Sequence, residues 1–73
     1  MTNTAMLKSL IDESGYKREH VAKKLGISRF ALYQKVNGQS DFTTTEVQNL
    51  CEVLGINDPT DKERIFFAKA VDE

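Results

Sequence analysis

Apolar residues recur along this chain at intervals of three and four, and alternation of period two is never sustained. That spacing belongs to helical stripes rather than strand faces, and the breaks between stripes predict five helices. The first runs from about Thr4 to Glu13, with Met6, Leu7, Leu10 and Ile11 on one stripe. Ser14-Gly15 ends it, glycine supplying the left-handed conformation common just past a helix. The second spans about Lys17 to Leu25 and turns Val21, Ala22 and Leu25 inward, with Tyr16 placed to pack back on Val21 as a hydrophobic staple. Ser28 caps a third helix, about Arg29 to Val36, and Asn37-Gly38 stops it. A polar loop, Gln39-Ser40-Asp41, follows, with Phe42 as its anchor into the core. Thr43-Thr44-Thr45-Glu46 reads as a capping box that opens a fourth helix, in which Val47, Leu50, Cys51 and Leu54 keep helical spacing up to Gly55. Asp58-Pro59 opens the fifth, expected to reach about Val71. Four of the five starts carry an N-cap candidate, and every break falls at Gly or Pro. Local signals and helical period therefore agree on an all-α fold.

The second and third helices make the most specific demand. Two helices that cross steeply through a three-residue turn need a small residue at their closest approach, and Ala22 supplies it. The turn then needs a positive φ, which Gly26 accepts at little steric cost. Ile27 plugs the corner, and Leu32 packs down toward Val21 and Leu25. The pattern Ala22-x3-Gly26-Ile27-x4-Leu32 is thus a set of packing requirements for a helix-turn-helix over about residues 18–37.

Charge sharpens this. Residues 17–37 hold Lys17, Arg18, Lys23, Lys24, Arg29 and Lys35 against Glu19 alone, a net of +5. The rest of the chain carries four bases and ten acids, a net of −6, so the overall −1 hides a positive face and a negative back. Such asymmetry orients a protein on a polyanion.

Composition excludes several other classes. At 73 residues the chain is read as one domain, residues 1–73. Its one cysteine, Cys51, can make no internal disulfide and reads as core filler. No Cys/His cluster suits a metal, no Gly-rich loop suits a nucleotide, and no Ser/His/Asp spacing suggests an enzyme. Neither a cofactor nor a small-molecule ligand is expected. No stretch approaches the roughly 20 apolar residues of a membrane span, and the first residues do not resemble a signal peptide, so a cytoplasmic location is expected.

The segment Gly26-Ile27-Ser28-Arg29 with Leu32-Tyr33 and Lys35-Val36-Asn37 resembles the helix-turn-helix of the Cro and phage-repressor family, the XRE regulators. One helix before the motif and two after it is also that family's arrangement, so the resemblance covers nearly the whole chain. It implies a five-helix, lambda-repressor-like DNA-binding domain and a phage- or prophage-type transcriptional regulator. Such a regulator would occupy operator DNA as a homodimer.

The resemblance also implies site roles. Arg18 begins the first motif helix, where a phosphate contact or support of a base contact is expected, and Ser28 offers its hydroxyl or N–H to a phosphate. Arg29, Phe30, Tyr33 and Gln34 fall at groove-facing positions, where Arg suits guanine, Gln suits adenine and Phe suits a thymine methyl. Asn37 matches a phosphate-binding position, and Lys17 and Lys35 are further phosphate partners. Two residues depart from the family pattern. Lys35 stands where a large apolar residue is common, so either its stem covers the core or Val36 takes over the packing. Phe30 is apolar where a polar side chain is usual; it and Tyr33 could instead cover an edge of the core.

Ile65, Phe66 and Phe67 are consecutive and span too wide an arc for one buried face. Either Ile65 and one Phe fill the core, or the three contribute to a dimer interface, which is the expectation carried forward. The alternative functions are a helix-turn-helix module that binds another regulator, and a DNA-bending accessory or excision factor.

Overall fold

Five helices succeed one another along the chain in the computed structural model, which describes residues 2–67. They are α1 (Thr4–Ser14), α2 (Arg18–Leu25), α3 (Arg29–Val36), α4 (Thr44–Leu54) and α5 (Pro59–Phe66). The starts follow from side-chain caps. Asn3, Ser28, Thr43 and Asp58 each accept a hydrogen bond from a first-turn N–H, and Glu46 returns the bond to the Thr43 N–H to complete a capping box. Only α2 begins without one, at Lys17.

The turn between α2 and α3 closes as its sequence requires. Gly26 adopts φ 73°, its N–H bonds the Lys23 carbonyl at 3.1 Å, and the Ile27 N–H bonds the Ala22 carbonyl at 3.1 Å. A Cβ added at Gly26 would meet no atom within 4 Å, so it is the positive φ and not space that calls for glycine.

The core lies where the five helices converge. Leu7, Ile11, Val21, Leu32, Val36, Leu50 and Ile65 are all but fully buried, and Ala22, Leu25, Cys51, Ile56 and Phe66 complete the cluster. Each large aliphatic side chain removed from water in this way contributes about 1.5–3 kcal/mol. Among the described residues no buried side-chain polar atom lacks a partner. Helix α2 packs on both α3 and α4, while α1 crosses behind to touch α3, α4 and α5. A bond of 2.6 Å from the Asn3 N–H to the Ile65 carbonyl ties the start of α1 to α5. Phe42 anchors the loop before α4, meeting Phe66 edge-to-face at 5.7 Å.

Two local expectations change. The fifth helix stops at Phe66, with Phe67 out of helical conformation at φ −125°, ψ 30°, whereas the sequence suggests a run to Val71. Residues 68–71 of that expected run lie outside the described residues. Tyr16, expected to pack on Val21, stacks its ring on His20 at 5.0 Å and stays exposed. Among the described residues no helix is long and apolar enough to cross a membrane.

Candidate nucleic-acid interface

Helix α3 divides cleanly. Leu32 and Val36 are buried, with Ala31 and Lys35 partly covered beside them. At 3.6 residues per turn, Arg29, Phe30, Tyr33, Gln34 and the capping Asn37 fill one continuous arc of about 140° on the other side. Arg29, Phe30 and Tyr33 are exposed, whereas Gln34 and Asn37 are half-buried. The packing residues thus hold the helix against α2 and leave its outer side to solvent.

The aromatic residues on this outer side do not cover the core. Phe30 is 68% exposed and Tyr33 55% exposed, and their rings lie nearly parallel, 18° apart in plane with centroids 6.4 Å apart. With Arg29 they line an open, apolar depression.

Ser28 and Asn37 bracket the helix. The Ser28 hydroxyl accepts from the Ala31 N–H at 3.0 Å, which leaves its own proton free to donate outward. The Asn37 side-chain amide donates to the Tyr33 carbonyl at 2.8 Å, so its second N–H and its oxygen remain for another partner.

The cations fall into three groups. Lys17, Lys23, Lys24 and Arg29 are exposed, and Lys23 and Lys24 lie in the last turn of α2, where the helix dipole favours positive charge. Arg18, half-buried, reaches Asp12 of α1 at 3.6 Å. Lys35 differs from all of these. Its ammonium donates to Glu46 of α4, and both side chains are largely covered. The same Glu46 oxygen accepts from the Thr43 N–H at 2.9 Å.

Burial by itself would raise the Glu46 carboxyl, but the Lys35 ammonium and the Thr43 hydrogen bonds outweigh it and hold the group below its ordinary value of 4.5. Lys35 is therefore an internal tie between α3 and α4, which corrects its expected role as a phosphate partner. Val36, wholly buried, does the packing that an apolar residue at position 35 would do. Neither Glu46 as the partner of Lys35 nor Asp12 as that of Arg18 is legible in the sequence, because each pair joins separate helices.

The aromatic end of the chain is corrected in the same way. Ile65 and Phe66 belong to the core, so neither is free to form a dimer interface; only Phe67, 60% exposed, keeps an outward ring. Cys51 is buried as expected, and burial pushes its thiol up despite the nearby charge of Lys62. No group of three or more metal-ligating side chains occurs among the described residues.

Residues 6–61, which span the whole motif, α4, most of α1 and only the start of α5, match the family described as Cro/C1-type HTH DNA-binding domain. No curated protein and no solved structure gives a significant match. Arrangement and match agree: this chain belongs to the Cro/C1-type helix-turn-helix DNA-binding domain family.

Proposed function

We propose that this protein is a sequence-specific transcriptional regulator that places α3 in the major groove of operator DNA and acts by occupying a promoter. The observation that carries the reading is the outer arc of α3, where Arg29, Phe30, Tyr33 and Gln34 stand together on a helix whose opposite side is locked into the core. Arg29 suits bidentate pairing with guanine and Gln34 with adenine. Lys17, Arg18, the Ser28 N–H or hydroxyl and Asn37 contact phosphates, which fix register and supply most of the affinity. The regulator is of the phage or prophage Cro type and works in the cytoplasm without cofactor or small-molecule ligand. It pairs as a homodimer to read two half-sites about one DNA turn apart, with Phe67 as the surviving candidate for the contact.

A random-sequence selection with the pure protein tests this. Enrichment of a paired motif supports the full reading, an unpaired motif supports DNA reading by a monomer, and absence of both enrichment and bulk duplex binding overturns it. Affinity for the enriched site should also fall steeply with salt, in proportion to the phosphates neutralised. The exposure of Phe30 and Tyr33 favours a second reading, in which the same arc binds another protein; that interaction would show a weak salt dependence.

A further inference from the structure

Two large aromatic rings on the reading side of α3 require an explanation that charge and hydrogen bonding do not give. Nothing in the fold needs them there. Phe30 and Tyr33 point away from the core, their rings pair with each other, and the groups nearest them on the open side belong to Arg29. Isolated exposed apolar residues are ordinary, but a paired, nearly parallel set beside an arginine forms a continuous apolar surface. The edges of the base pairs in the major groove offer one apolar group to meet such a surface, the C5-methyl of thymine. The ring centroids are 6.4 Å apart, about two base-pair rises of 3.4 Å, so the two rings can lie over base pairs two steps apart.

We infer that Phe30 and Tyr33 form a methyl-reading surface that selects thymines two base pairs apart in each half-site, next to the base contacted by Arg29. This rests on the operator-binding reading above and adds the chemistry by which part of the site is chosen. The rings gain only when a methyl displaces water from them, so cytosine at the same position would leave the apolar surface facing a polar amino group. The Tyr33 hydroxyl, at the rim of its ring, can still donate to a phosphate or a base acceptor without moving the ring.

Replacing single thymines of the enriched operator by deoxyuridine tests the inference directly. The exchange removes the methyl and keeps every hydrogen-bonding group of the base. At one or two positions per half-site the wild-type protein should bind about fourfold more weakly per methyl lost, the factor expected for one buried methyl-sized group. The loss should vanish at one of these positions in Phe30→Ala and at the other in Tyr33→Ala, and Phe30→Leu should retain part of it. Both rings are exposed, so these variants should fold; thermal unfolding alongside the binding measurement confirms that they do. If a fully uracil-substituted operator binds as tightly as the thymine operator, the inference is overturned and operator binding itself stands. A uracil penalty that persists unchanged in both alanine variants overturns it equally. If the selection enriches no DNA at all, the operator-binding reading falls and takes this inference with it.

Discussion

Two aromatic pairs in this small domain use the same chemistry to opposite ends. Phe42 and Phe66 meet edge-to-face at an interplanar angle of 86°, with Phe66 only 4% exposed, and close the core between the loop before α4 and the end of α5. Phe30 and Tyr33 lie nearly parallel on the outside of α3 and close nothing. The first pair is held by neighbours from two distant parts of the chain, whereas the second is a product of one helix, three residues apart on the same face. The cations divide likewise, since Lys35 is drawn inward to Glu46 while Arg29, six residues earlier, is left in solvent. The packing of the fold and the proposed recognition surface thus use different members of matched sets, so each should be alterable without the other.

The largest break in this comparison should come from Phe66→Ala. Removing a buried ring costs about 3–5 kcal/mol, a large share of the stability of a domain this size, and a denaturant titration should find the variant marginal or unfolded. Lys35→Ala comes next. It strips a largely covered carboxylate of its cation and should cost about 1–3 kcal/mol, whereas Lys35→Met, which keeps the stem's packing, tests how much of that loss is the charge. If Lys35 were instead a free phosphate contact, both variants would lower DNA affinity and leave stability untouched.

Acid should act on the same tie more gently. The Glu46 carboxyl is depressed in the fold, so its contribution is present above its ordinary value of 4.5 and is lost as pH falls through its lower folded value. The stability difference between the native protein and Glu46→Gln, followed by chemical denaturation from neutral pH downward, should therefore shrink below about pH 4.5. The smallest effect is expected where the sequence looks most hydrophobic on α3. Phe30→Ala should change stability by no more than about 0.5 kcal/mol, and a larger loss would place that ring in the packing after all.

Most helix boundaries are legible in the sequence because they are set locally, by Asn37-Gly38, by the Thr43–Glu46 box, by Asp58-Pro59, and by the turn at Gly26. The inward residues of α2 are legible too, since Val21, Ala22 and Leu25 follow from helical period alone. The fate of Phe66 against Phe67 is not. Neighbours in a helix differ by about 100° in direction, and which of them enters the core depends on where Phe42 arrives from the far side of a loop. Lys35 escapes for the same reason. Its partner is eleven residues away, on another helix, and a capping glutamate gives no sign in sequence that its side chain also receives a lysine. On α3, periodicity places Arg29, Phe30 and Tyr33 on the outside, but that two of them stack is a matter of side-chain torsion that no spacing encodes.

The carboxylate of Glu46 also governs how the chain around it can vary. A single oxygen accepts a hydrogen bond from Lys35, one residue before the end of α3, and another from the backbone N–H of Thr43, at the threshold of α4. The segment between is thereby clasped at both ends, so the pose of α3 does not have to be transmitted through the intervening loop. Chain length there becomes a neutral variable. Doubling a loop costs only about 0.6 kcal/mol of closure entropy, and two glycines inserted between the exposed Ser40 and Asp41 should lower stability by less than that and leave sequence preference unaltered. The connection at Ser40 is thus the place where this domain could grow without retuning what it reads.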